Sequence, residues 1–250
     1  MTPRLKTLTP ILMLLCLSLL AVGFAGCKTG EAKDAGFVYK SDMAKDPSLP
    51  FQQSWKKPGF DKSTYTKLYV APVNTAYMLK NTEWQKGERV ASFEEDVAKL
   101  AVYTQDRIKT AFSADPSQRM QVLDAPTTGA DALIVEIALI EVVPSKVTLN
   151  ALGMAPFGIG MAISAVRAVA KDTSTCAFEG RIRIAATGEI VAAMADREAQ
   201  QFAPVSVRGL TWYSNAETII TQWAEQFVKI ANRKPGETVK DVEAFTLKPW

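Results

Sequence analysis

Histidine is absent from all 250 residues. That removes the histidine general base, the Ser-His-Asp and Cys-His nucleophile arrangements and the usual zinc ligand sets. Cysteine is scarce as well, with only Cys16, Cys27 and Cys176. Charge of neither sign dominates, since 29 Lys and Arg face 26 Asp and Glu. Without a basic excess or interleaved aromatics there is no footprint for nucleic acid. The chain holds no GxxxxGK[ST] loop, no dinucleotide fingerprint between a strand and a helix, and no internal repeat. No metal or cofactor site is expected. Carboxylates are the chemistry that remains, yet no Asp or Glu pair stands out, and most read as solvated surface charges. The balance points away from an enzyme.

What is present begins at the N-terminus. Arg4 and Lys6 precede an apolar run over residues 11–22, and Phe24-Ala25-Gly26-Cys27 closes it. Charge, apolar run and small residues in that order read as an export signal covering residues 1–26. An uncleaved anchor is the alternative, but the run is short for a spanning helix of about 20 residues. The closing motif resembles the lipobox of bacterial lipoproteins, with Phe24 where Leu is usual. The resemblance implies cleavage before Cys27, acylation of its sulfur and of the new N-terminus, and palmitate-type anchoring in a membrane. Lys28 stands where Asp would mark inner-membrane retention, which implies the periplasmic face of the outer membrane. Removing the signal also removes Cys16. With Cys27 lipidated, Cys176 alone remains and no internal disulfide can form. Cys176 reads either as a small buried apolar side chain or as a reactive thiol, serving as a nucleophile or an intermolecular bridge.

Residues 27–36 are small and charged and read as a lipid-anchored tether. Residues 37–60 lack periodicity but carry Phe37, Tyr39, Leu49, Phe51, Trp55 and Phe60, with Pro47, Pro50 and Pro58 breaking any long helix or central strand. This aromatic lead-in either docks its rings on the domain or serves as an arm for a partner. Residues 61–235 read as one α/β domain. A strand is expected over 67–73, and a helix after Ser92, where Ser92 and Glu95 spell a capping box. That helix aligns Val97, Leu100, Ala101, Thr104, Ile108, Ala111 and Phe112. Strands follow over 120–123 and 132–143, the latter with a polar side through Glu136 and Glu141 and a possible bulge. A hairpin over 177–186 and 190–199 turns at Thr187-Gly188-Glu189. A second helix over 215–232 has a capping box from Ser214 and Glu217. Residues 236–250 read as a charged tail on the surface. The expected class is therefore α/β (α+β): a mixed sheet covered by two amphipathic helices in a single periplasmic domain.

One segment does not fit this plan. Residues 147–166 form an uncharged, glycine-rich insert long enough to span a membrane, although Gly153, Pro156, Gly158 and Gly160 argue against a regular helix. Packing within the domain, contact with another subunit or partner, and insertion into lipid are the three readings. Gly153, Phe157, Gly158, Gly160 and Ala162 form the candidate contact surface, because small residues allow close backbone approach.

Taken in order, the lipobox, GFVYKSDM (36–43), YTKLYVAPV (65–73), the AD-x-L-x-V-x-I run (130–137), the insert and ATGEIVAAMADRE (186–198) resemble domain of unknown function 3313, a bacterial lipoprotein family. A more distant fold-level likeness links the chain to the curli secretion channel lipoprotein and to the lipoprotein activator of penicillin-binding proteins. Both act through protein contacts. The expected function is a non-catalytic binding or structural module of the cell envelope, anchored through Cys27, with an envelope protein as partner. A homo-oligomeric secretion-channel component and a regulator of a peptidoglycan synthase are the alternatives.

Overall fold

The computed structural model describes residues 30–78, 93–144, 173–201, 211 and 213–241. Residues Glu31–Trp250 form one compact unit, separate from Met1–Gly30. Six strands make one sheet: β1 Gln53–Lys56, β2 Lys67–Val70, β3 Gln121–Leu123, β4 Ala132–Val143, β5 Thr173–Ile184 and β6 Ile190–Gln201. Their order across the sheet is β1-β6-β5-β4-β2-β3. Strand β2 runs parallel to both β3 and β4, and the remaining pairs are antiparallel. Parallel neighbours need a crossover connection. Helix α1, Phe93–Ser113, supplies it between β2 and β3, and helix α2, Ser214–Asn232, follows β6. The mixed sheet with two amphipathic helices is the expected architecture.

Periodicity explains the helix-covered face. Helix α1 buries Val97, Leu100, Thr104, Ile108 and Phe112, while α2 buries Ile219, Ile220 and Trp223. These pack on Leu68, Val70, Leu133, Val135, Ile137, Leu139 and Phe178 of the sheet. Burying each such side chain contributes about 1.5–3 kcal/mol. In β4 the register slips between Leu139 and Glu141. The extra residue returns Val142 to the helix side and leaves Glu136 and Glu141 together on the other face, as a bulge does. At the β5–β6 turn Gly188 adopts φ +71°, and its amide donates to Ile184 O at 2.8 Å. A left-handed turn position of this kind favours glycine.

Some local expectations change. Strand β1, which residues 37–60 gave no alternation to reveal, pairs with the edge of β6 from Gln53 to Lys56. Its other edge is partly covered by the bridge Ala44–Ser54. The second capping box does not form: α2 already includes Ser214, whose hydroxyl donates to Thr211 O, and the cap residue is Tyr213. Lys62 closes the other end of α2, its ammonium donating to Ile230 O, Ala231 O and Arg233 O at 2.7–2.8 Å. Finally, the tail is not wholly superficial, because Val239 is buried and its amide donates to Ser48 O at 3.0 Å. Ser92 lies outside the described residues, as do 79–92. No helix among the described residues is long and apolar enough to cross a membrane.

Candidate functional site

The sheet face that α1 and α2 leave uncovered carries the N-terminal strap, residues 31–52. Phe37, Val38 and Met43 bury against Ala138, Ile140, Ala177, Ala193 and Ala195, with Ala32, Ala35 and Trp55 packed beside them. Small side chains on β4, β5 and β6 leave room for the strap's ring and thioether. The strap then rounds the β1–β6 edge and inserts Phe51 on the helix side, where its ring meets Phe178 at 5.8 Å and Phe227 at 5.6 Å. One segment therefore clasps both faces of the sheet.

Two carboxylates fasten it. Glu179 of β5 is fully buried on the strap side. Its oxygens accept from the amides of Ala35 at 2.9 Å, Phe37 at 2.8 Å and Val38 at 3.1 Å. Lys40 pairs with it at 3.3 Å. A buried carboxylate is stable only when paired and hydrogen bonded, and here three amides and an ammonium do both. Arg181 adds a cation–π contact, its guanidinium lying 4.4 Å from the centre of the Phe37 ring. Arg181 also pairs with Glu136, which Arg183 meets as well at 2.9 Å, and Arg197 pairs with Glu141 at 2.7 Å. Compensated charges thus line this face beside its small apolar patch.

On the helix side Asp196 of β6 is likewise fully buried. It accepts from Gln52 N at 3.0 Å and from the Trp223 indole at 2.8 Å. Gln52 extends the hold: its Oε1 accepts from Ala32 N at 3.0 Å while its Nε2 donates to Arg197 O at 3.2 Å. Glu198, two residues along the same strand, lies beside both Asp196 and Asp241. Burial first, then the neighbouring negative charges, pushes Glu198 up to about 9. Burial also raises Asp196, against the lowering effect of Trp223 and the Gln52 amide. Glu198 therefore holds a proton at neutral pH that an ordinary carboxylate would have lost.

These are the functional residues that composition did not single out. Glu179 and Asp196 are not the solvated charges expected of most acidic residues. The one available signal was the i, i+2 spacing of Asp196 and Glu198, which places both on one strand face. Asp196 has both oxygens engaged by structural donors, and no group of acidic or cysteine side chains among the described residues could hold a metal ion. The void between helices and sheet, lined by residues including Thr104, Ile137, Phe178 and Trp223, measures about 10 Å³. It has room for one water at most. Cys176 is fully buried, and its thiol is pushed far up by burial first and by Glu141 and Asp196 next. It is the small apolar side chain of the two readings, since reactive thiols need a depressed pKa and access.

Of the other predicted residues, Cys27 lies outside the described residues, and so do Gly153, Phe157, Gly158, Gly160 and Ala162. Residues 31–36, which composition reads as tether, are held by the Ala32 amide on Gln52 and by the Ala35 amide on Glu179 of β5.

No curated protein sequence matches the chain. Among solved structures it is similar to the dodecamer of a PelC variant from Paraburkholderia phytofirmans, at 7% identity and TM-score 0.38, covering 72% of this chain and 98% of that one. It is also similar to protein XCC0632 of Xanthomonas campestris, at 11% identity and TM-score 0.40, covering 71% and 91%. Lipoprotein GNA1162 of Neisseria meningitidis follows at 9% identity and TM-score 0.23, covering 67% and 99%. Residues 33–227 match the family described as protein of unknown function DUF3313, so nearly all of the strap, the sheet and most of α2 fall within it, and the chain belongs to that family.

Proposed function

We propose that this protein is an outer-membrane lipoprotein, anchored through Cys27 on the periplasmic face, that works as a non-catalytic contact module of the envelope. The observation that carries the reading is the strap. Past the lipobox, the chain is fastened from Ala35 onward to buried Glu179 of the domain, which leaves only a short free tether. A short free tether suits a protein that positions an envelope partner, and a diffusing periplasmic enzyme has no need of one. Its partner is an envelope protein, contacted through surfaces away from the strap. Among the described strands, short β3 has a neighbour on one side only and offers an edge for such a contact.

Fractionation of cells making the chain, with mass spectrometry of its mature N-terminus, tests the reading. An acylated Cys27 in the outer-membrane fraction, lost to the soluble fraction in Cys27→Ala, is the expected result. A mature N-terminus elsewhere, or an unmodified Cys27, would overturn it. The carboxylate trio favours a second reading, acid–base chemistry at Glu198. Combined Asp196→Asn and Glu198→Gln changes that keep the fold but abolish the protein's effect on the envelope would favour it.

A further inference from the structure

The docked strap shortens the tether. Ala32 is already held by Gln52 at 3.0 Å, and Lys40 Nζ donates to Ala32 O at 2.8 Å and Lys33 O at 2.7 Å. Only residues 28–31 separate Cys27 from that point. Fully extended, those steps span about 16–18 Å. A folded unit of this size has a radius of gyration of about 17 Å, so its diameter is more than twice the reach of the chain. The strap side cannot turn away from a bilayer that holds Cys27.

The surface presented there is suited to lipid. Among the described residues the exposed large apolar side chains are Tyr39 at 82%, Val102 at 59% and Tyr77 at 37%. Tyr39 belongs to the strap, and Tyr77 packs edge-on against strap residue Phe37 at 5.3 Å. Tyrosine pairs an apolar ring with a polar tip and favours the headgroup region of bilayers. The exposed charges at the start of the strap, Glu31, Lys33 and Asp34, carry no basic excess. Attraction to anionic lipid is therefore not what seats it.

We propose that the strap-covered face sits on the phospholipid headgroups, with Tyr39 in contact with them, while the helix layer points away from the membrane. The proposal rests on lipid attachment at Cys27. It is tested with the acylated, full mature chain in vesicles of phosphatidylethanolamine and phosphatidylglycerol carrying a headgroup-attached quencher. A polarity-sensitive dye is placed on a Tyr39→Cys variant and, separately, on a Val102→Cys variant. Buried Cys176 and acylated Cys27 leave the introduced thiol as the site of labelling. The expected result is quenching several-fold stronger at position 39 than at position 102, unchanged by high salt. Equal quenching, or stronger quenching at 102, would overturn the seating while leaving the anchor intact. Vesicle flotation and the acyl mass on Cys27 separate the two failures: a chain that neither floats nor carries that mass overturns the anchor and the seating together.

Discussion

The two faces of the sheet are covered by different physics. On one, two helices bury interdigitating rings and branched chains, a non-directional attraction that grows with area. On the other, a strap of irregular backbone is held by a fully buried carboxylate that accepts three amide hydrogen bonds. Irregular backbone cannot satisfy its own amides, so Glu179 does for the strap what hydrogen bonding within a helix does for itself. The helix face should therefore fail as a whole and the strap face locally. The strap's hold concentrates in a few atoms, and removing one acceptor leaves the rest of the sheet intact.

The largest effect is expected from Phe178→Ala. Its ring touches Trp223 at 4.6 Å, Phe227 at 5.7 Å and Phe51 at 5.8 Å. Truncation should cost about 3–5 kcal/mol. Urea unfolding followed by circular dichroism should show one cooperative transition, shifted to lower denaturant. Two separated transitions would contradict a helix face that fails as a whole.

Next comes Glu179→Ala. Bonds to a charged group are worth about 1.5–3 kcal/mol each, but the loss is limited by the strap's own docking energy. Limited proteolysis should cut within residues 31–52 much faster than in the parent chain, while the helix content holds. Global unfolding by this single change would make the strap an inseparable part of the core.

A pH dependence is expected from the helix side. Glu198 and Asp196 bind protons more tightly folded than unfolded, because burial penalises their charged forms. As pH rises from the ordinary carboxylate range towards about 9, the unfolded chain releases protons that the folded chain retains. Stability should then fall, with a slope approaching about 1.4 kcal/mol per pH unit for one retained proton. Urea denaturation across that window measures it. Glu198→Gln, which keeps a donor and removes the charge, should flatten the slope, and an unchanged slope would assign it to other groups.

The smallest effect concerns Cys176. Buried and held as a thiol, it should stay unreactive to a thiol reagent in the native protein and react fully in denaturant. Rapid native modification would contradict the packing described for β5.

Legibility followed the same division. The stripe from Val97 to Phe112 predicted α1 because a helix repeats its buried side every three or four residues. The charged positions Glu136 and Glu141, an odd number of residues apart on one strand, made the β4 bulge readable. The strap had no such period. Its Phe37 and Phe51 serve opposite faces of the sheet, and strand β1 is four residues long, so no alternation accumulates. Glu179 looks like any surface glutamate in the run FEGRIRI, since the amides that bury it lie over 140 residues away in the chain. Ser214 misled for a local reason: helix α2 starts one residue earlier, which turns a capping side chain into a first-turn one.

Residue-resolved hydrogen exchange of the parent chain and Glu179→Gln decides whether the carboxylate is what holds the strap. The amides of Ala35, Phe37 and Val38 should exchange slowly in the parent and lose protection together in the variant, while those of β4 and α2 stay unchanged. Equal protection of the strap in both proteins would contradict the claim that a buried carboxylate holds it.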